Sequence, residues 1–171
     1  IFAGFVEKAL DCLDEMKSAR MVSDEVNFIC ALDVYIKVGE LEKGREIHSE
    51  LLKFGLEGHP MIGATLLHMY GKHGSLVEAE RVFNMLPITD VVTWTTLMFA
   101  YVKNDLDDEA SWCFDQMQKG GICPDSIALV VGSKSCVSIG ALNKAQQIHA
   151  LAIKRGVDMD PMVDTYVMSQ Y

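Results

Sequence analysis

The histidines and cysteines are the residues of this chain that could carry out catalysis or bind a metal ion. His48-Ser49-Glu50 matches the His-x-Glu half of the zinc site of cytidine deaminases. The other half, Pro-Cys-x-x-Cys, is missing, because Cys123-Pro124 has the reverse order and no second cysteine follows at the required spacing. His48 also recurs at an equivalent place as His149, without a glutamate after it. We therefore interpret His48 as a structural residue.

The remaining reactive side chains do not form a site either. The five cysteines are widely spaced and include no Cys-x-x-Cys pair, so we expect neither a disulfide framework nor a thiolate metal site. His68 and His73 are five residues apart, which places them on different faces of a helix. A Gly-rich phosphate loop and a serine nucleophile elbow are both missing. We predict that the chain is not an enzyme and uses no catalytic residue, metal, cofactor or small-molecule substrate.

The overall charge argues against one class of nucleic-acid binder. The 171 residues include 15 Lys and Arg against 24 Asp and Glu, which gives a formal net charge of −9. A basic coat that binds any polyanion is therefore excluded, and nucleic-acid binding would have to depend on a local surface. Half of the residues (50%) are hydrophobic, but no apolar run reaches the ~20 residues needed to cross a bilayer, so we expect no membrane partner.

The sequence contains an internal repeat, and the repeated units must be identified before single residues can be interpreted. The stretch that begins at Gly39 recurs from Gly140, and the residues that the two copies share keep an offset of 101 throughout. Related stretches lie between the copies, with Glu-Ala pairs at 78–79 and 109–110. Aligning these stretches divides the chain into six segments: 1–24, 25–59, 60–90, 91–125, 126–160 and 161–171.

Each full segment predicts two helices. In 91–125, an apolar stripe at helical spacing ends at the turn Asn104-Asp105, and the acidic residues 107–109 open a second helix. Gly120-Gly121 and Pro124 end that helix. A pair of short helices cannot bury its own apolar face, so neighbouring pairs must stack. We predict an all-α fold, a right-handed α-solenoid of stacked antiparallel helix pairs.

The segments resemble the pentatricopeptide repeat family. The 91–125 segment is similar to the family's standard repeat through Val91-Val92-Thr93-Trp94 and the Pro124-Asp125 end. The 60–90 segment is similar to the short form, and 25–59 and 126–160 to the long form. The truncated ends, 1–24 and 161–171, then belong to a standard-type and a short-type repeat. The order standard, long, short is typical of the PLS subclass, which occurs in plants.

A tetratricopeptide repeat array is the nearest alternative, and it fits less well. Met98 stands where that pattern has glycine, and the segment lengths vary although that family's repeat length is constant.

The resemblance implies modular recognition of single-stranded RNA, with about one base read per repeat. In the family, the fifth and last residues of a repeat contact the base edge, and an aliphatic second residue packs on base faces. For 91–125 these are Thr95, Asp125 and Val92, and Thr with Asp resembles the guanine-preferring pair. The other implied base-reading residues are Ala64, Asp90, Asp24 and Thr165, and the other implied stacking residues are Met61 and Met162.

Two features limit this interpretation. The long-type repeats have the aliphatic residues Ile29 and Val130 at the fifth position, so we expect them to space the RNA rather than to specify a base. Thr95 and Asp125 also have a structural interpretation, as a hydroxyl at a helix start and a solvated carboxylate in a turn. Both interpretations stay open at the level of the sequence.

Lys37, Lys72 and Lys103 occupy the thirteenth position of three consecutive segments. One repeat position makes one row along a solenoid, so we expect these charges to align, and the resemblance implies that they face the RNA backbone. The alternative is that each lysine only stabilises the C-terminal end of a helix through the helix dipole. Ser138 interrupts the row in the fourth full segment.

The resemblance implies a sequence-specific, single-stranded RNA-binding repeat tract, similar to the targeting region of organellar RNA editing or processing factors. Editing-factor proteins would then be further partners. The acidic balance keeps a protein-binding α-solenoid scaffold without RNA specificity as the alternative. The chain begins at Ile1 and shows no transit peptide, so a location in the mitochondrion or the plastid is implied by the resemblance alone.

Overall fold

The computed structural model describes residues 25–56 and 58–157. Within these ranges the chain forms eight helices and no strand, which confirms the predicted all-α class. The helices are α1 (Glu25–Val38), α2 (Leu41–Phe54), α3 (Pro60–Lys72), α4 (Leu76–Met85), α5 (Val91–Lys103), α6 (Asp107–Lys119), α7 (Ser126–Ser138) and α8 (Leu142–Lys154). None of the described helices is both long and apolar enough to cross a membrane.

Consecutive helices form antiparallel pairs joined by turns of two or three residues. The first helices of the pairs start at residues 25, 60, 91 and 126, where the four full segments also start. Each of these turns contains one residue with a positive φ, namely Gly39, Gly74, Asp105 or Gly140. Glycine adopts this conformation without strain, and aspartate is one of the few other residues that tolerate it.

The helices belong to two compact units, which divide between Ile88 and Thr89. In the first unit, α1 packs on α2 and α3, and α3 packs on α4. In the second unit, α5 packs on α6 and α7, and α7 packs on α6 and α8. Within each unit, one first helix therefore contacts the other directly, and the core extends from one pair into the next.

The core of the first unit is formed by apolar residues on the facing sides of its helices. Phe28 and Leu32 of α1 and Leu66 of α3 are fully buried. Burial of each such side chain stabilises the fold by about 1.5–3 kcal/mol. On the second helices, Arg45 Nη2 lies 3.0 Å from Glu78 Oε1. This ion pair links α2 to α4, but it contributes little stability because both side chains are partly exposed.

In the second unit, α6 and α7 approach each other closely at a glycine. Gly132 of α7 lies against the ring of Phe114, and a Cβ atom built on Gly132 would be 2.6 Å from Phe114 Cδ2. Phe114 is itself buried among α6 and its neighbours, so its ring has little room to move. Lys144 of α8 donates hydrogen bonds to Asp115 Oδ2 (2.8 Å) and Ser111 Oγ (2.7 Å) of α6.

We expect Gly132→Ala to lower the free energy of unfolding of the second unit by about 1 kcal/mol. Overpacking a core costs about 1–3 kcal/mol, and the higher helix propensity of alanine offsets about 1 kcal/mol of that. Urea unfolding followed by circular dichroism measures the change. Gly120→Ala is the control, because its Cβ would be no closer than 3.4 Å to any neighbour.

A second pair of variants tests whether the ring of Phe114 causes the loss of stability in Gly132→Ala. In a Phe114→Leu background the ring is gone, so adding Gly132→Ala should raise stability instead of lowering it. If alanine at position 132 lowers stability equally in both backgrounds, the close approach of Phe114 is not the reason.

Candidate nucleic-acid interface

The first helix of every pair exposes the same side to solvent. Positions two, nine and thirteen lie close together around a helix, because seven and four residues are close to two turns and one turn. All of these positions are exposed, and on each helix taken by itself we call them the first-helix face: Val26, Asp33 and Lys37 on α1, Met61, His68 and Lys72 on α3, Val92, Phe99 and Lys103 on α5, and Ile127, Lys134 and Ser138 on α7.

The second position of this face is apolar in all four helices. Val26, Met61, Val92 and Ile127 are each 51–63% exposed. Isolated exposed apolar residues are common, but here the same position is exposed and apolar each time. Of these four residues, Met61 and Val92 are predicted from the family resemblance as contact residues, whereas Val26 and Ile127 are not. The repeat length predicts both positions, because Val26 lies 35 residues before Met61 and Ile127 lies 35 residues after Val92.

Thr95 and Asp125 lie at the N-terminal ends of two helices that pack on each other, α5 and α7. Thr95 is only 6% exposed, and its hydroxyl donates to the Val91 carbonyl oxygen at 2.6 Å. Asp125 precedes α7, and its Oδ1 accepts from the Ala128 amide at 2.8 Å. The structural roles considered for both residues are therefore present, although Asp125 is a helix cap rather than only a solvated carboxylate.

Asp90 caps α5 in the same way. Its Oδ1 accepts from the Thr93 amide at 2.9 Å, and the Thr93 hydroxyl accepts from the Asp90 amide at 2.9 Å, which completes a capping box. Ala64, which shares a segment with Asp90, is half-buried on α3 and has no polar side-chain atom. Three of the predicted contact residues, Asp24, Met162 and Thr165, lie outside the described residues.

The predicted backbone lysines lie at helix ends. Lys37 and Lys72 lie in the last turns of α1 and α3, and Lys103 is the final residue of α5. The Lys72 ammonium donates to the Ile36 carbonyl oxygen at 2.8 Å, so it stabilises the C-terminal end of the neighbouring helix. This contact is of the kind that the structural alternative describes, and the side chain of Lys72 remains exposed. The predicted contact of Lys72 with the RNA backbone stays a prediction.

Charge is distributed unevenly between first and second helices. The sequences of α3, α5 and α7 each contain one lysine and no carboxylate. In contrast, α6 contains Asp107, Asp108, Glu109 and Asp115. Among the first helices that the structure describes, only α1 carries acid, at Glu25 and Asp33. The acidic net charge of the chain therefore does not extend over the first-helix face of the second unit.

Comparisons with known proteins agree on one family. Residues 89–130 match the profile of the PPR repeat family, and residues 2–21, 28–56 and 65–87 match the profile of the PPR repeat. Together these matches extend over most of the chain. The chain belongs to the pentatricopeptide repeat family. The repeats found in the sequence therefore match the repeat profiles of the family.

Relatives of this pentatricopeptide repeat chain occur in Arabidopsis thaliana. Over 93% of this chain's own length, it is 33% identical to pentatricopeptide repeat-containing protein At5g27110. Over 98% of this chain's length, it is 30% identical to the mitochondrial protein At3g09040. It is 33% identical to the chloroplastic protein At5g55740 over 75%. The chain spans only 23%, 16% and 15% of these relatives.

The fold matches that of a solved pentatricopeptide repeat protein. PPR10 from maize superposes with a TM-score of 0.75 at 23% identity, covering 92% of this chain and 23% of PPR10. The likeness confirms the predicted helical solenoid class. Another structure shows PPR10 in complex with an 18-nt psaJ RNA element.

Two of the reactive residues of this repeat chain, His48 and Cys136, contact neighbouring side chains. His48 Nδ1 lies 2.7 Å from the Tyr70 hydroxyl, and the two rings meet edge to face. Burial raises the pKa of Tyr70 above its usual value and raises the pKa of the Cys136 thiol as well. Cys136 therefore stays protonated and is a poor nucleophile. Within the described residues, no three His, Cys, Asp or Glu side chains are grouped so that they could hold a metal ion.

Asp125 offers a test of the capping role. We expect Asp125→Ala to lower the free energy of unfolding by about 1 kcal/mol, because the Ala128 amide loses its side-chain acceptor. Asp125→Asn should leave stability nearly unchanged, because asparagine caps as well as aspartate. Urea unfolding followed by circular dichroism distinguishes the two. Equal losses in both variants would show that the negative charge, and not the cap, provides the stability.

Proposed function

We propose that this chain is a sequence-specific, single-stranded RNA-binding repeat tract. The observation that carries the proposal is the first-helix face, which has an exposed apolar residue at the second position of all four first helices. On α3, α5 and α7 a lysine accompanies it and no carboxylate is present in the helix. Apolar side chains that meet base faces, together with cations that meet phosphates, are the elements of single-strand binding. The RNA-bound structure of PPR10, which has the same fold, is consistent with this function.

The hydrogen bonds of Thr95 and Asp125 favour guanine at the 91–125 repeat. The Thr95 hydroxyl proton is used by the Val91 carbonyl, so its oxygen is left as an acceptor. The cap uses Asp125 Oδ1, and Oδ2 accepts no hydrogen bond from the described residues. Two acceptors at the N-terminal ends of adjacent helices suit a base edge with two donors. Guanine, with its N1–H and N2–H₂ groups, has such an edge.

We further propose that the tract is of the PLS type and belongs to an organellar RNA editing or processing factor. The alternating segment lengths support the subclass. The names of the mitochondrial and chloroplastic relatives support a location in one of the two organelles. Editing-factor proteins would be additional partners of the whole protein.

A substitution in the proposed base-reading pair, Thr95 and Asp125, should change which base the 91–125 repeat prefers. With Asp125 kept, we expect Thr95→Asn to shift the preference at one nucleotide from guanine to uracil, as the family resemblance implies. Fluorescence anisotropy with four RNAs that differ only at that nucleotide measures the shift. Thr96→Asn is the matched control, because the Thr96 hydroxyl makes the same type of bond, to the Val92 carbonyl oxygen at 2.7 Å. That variant should retain the original preference.

Equal binding of all four RNAs by the unaltered chain would reject base reading. Weak binding of single-stranded RNA without base preference is the behaviour expected of a protein-binding scaffold.

Lys103 should act on affinity and not on specificity. We expect Lys103→Ala to weaken binding to all RNAs by a similar factor and to reduce the slope of log K against log salt by about 1, because one phosphate contact is lost. Lys119→Ala is the control, since this exposed lysine lies at the end of the second helix of the same repeat. If both variants change the slope equally, the lysines act only through net charge.

A further inference from the structure

Phe99 is a large aromatic side chain on the first-helix face, and neither the core nor the proposed base-reading pair uses it. It is 51% exposed, whereas Tyr101, two residues later on α5, is buried. Its ninth position is occupied by Asp33, His68 and Lys134 on the other three first helices, so an aromatic ring here is particular to this repeat.

The position of Phe99 along α5 relates it to the two proposed contacts of the same repeat. Thr95, Phe99 and Lys103 follow one another at intervals of four residues, and each step advances about 6 Å along the helix. The proposed function places a base edge at Thr95 and a phosphate at Lys103. In a nucleotide, the ribose lies between the base and the phosphate. The middle residue of this row therefore lies where the sugar would be.

The charges around Phe99 favour an anionic partner. Lys103 lies one turn further along α5, and Lys134 occupies the same ninth position on α7, which packs on α5. Neither helix contains a carboxylate. An exposed aromatic ring on a surface that carries lysines is a common feature of proteins that bind single-stranded nucleic acid.

We propose that Phe99 packs against the ribose of the nucleotide whose base is read by Thr95 and Asp125. This inference rests on the proposed RNA-binding function and adds a contact residue between its base and phosphate sites. The ring would hold the nucleotide along α5, with the base toward the N-terminal end and the phosphate toward Lys103. It would contribute to affinity independently of which base is present.

The test uses the 171-residue chain and an RNA that this chain selects from a random pool. The nucleotide whose preference responds to Thr95→Asn is the one bound by the 91–125 repeat. At that nucleotide we compare three RNAs: the intact RNA, one with an abasic ribose, and one with a propanediol spacer that lacks the ribose ring. Affinities of the unaltered chain and of Phe99→Ala for each RNA form a double-mutant cycle.

We expect Phe99→Ala to bind the intact RNA about fivefold more weakly, near the lower end of the loss that follows removal of an aromatic contact to nucleic acid. The same loss should persist with the abasic RNA and disappear with the spacer RNA. Phe99→Tyr should retain affinity, and Trp112→Ala, which removes an exposed aromatic of α6 in the same repeat, should not alter binding. Circular dichroism confirms that each variant is folded.

Two results would overturn the assignment. A loss that already disappears with the abasic RNA would mean that Phe99 stacks on the base. Unchanged binding of Phe99→Ala to the intact RNA would mean that Phe99 does not contact RNA, and a protein partner would then be the remaining use of its exposed ring. In either case the effects of Thr95→Asn and Lys103→Ala still report on the proposed function separately. Failure of the unaltered chain to select any RNA would reject both.

Discussion

The structure depends on one constraint: a pair of short helices has more apolar surface than it can bury by itself. Within each unit the first helices satisfy this constraint by packing directly on each other, α1 on α3 and α5 on α7. Burying one side of each first helix leaves its opposite side exposed at fixed positions. The first-helix face is therefore a consequence of core packing, and its spacing follows the spacing of the repeats.

The N-terminal ends of α5 and α7 combine a stabilising cap with the proposed base recognition. A helix start needs acceptors for its unpaired amide groups, and Asp90 and Asp125 provide them. Capping uses one carboxylate oxygen and holds the side chain in a fixed orientation. For Asp125, the second oxygen is then held at a defined place, with little conformational entropy left to lose in the proposed contact with a base. The structural and the functional interpretation of this residue are therefore compatible.

Acidity and RNA binding are compatible in this chain because the charges lie on different helices. The carboxylates of the second unit are concentrated on α6, where the first-turn residues 107–109 also interact favourably with the helix dipole. The helices α5 and α7 carry lysine alone. Screening at physiological salt limits the repulsion between α6 and a bound strand, because the Debye length is about 8 Å. Local charge, and not the net value, decides what the first-helix face can bind.

The sequence by itself determined the helices and the turns between them. These features are local or periodic, so residue spacing was sufficient to predict them. The positions expected to face a ligand were implied by the family resemblance and stay a prediction. Only the tertiary structure decided which partner each polar atom uses. It showed that Thr95 donates to Val91, that Asp125 caps α7 and that Lys72 reaches the end of α1. Such outcomes depend on how neighbouring helices pack on one another, which residue spacing within one helix does not encode.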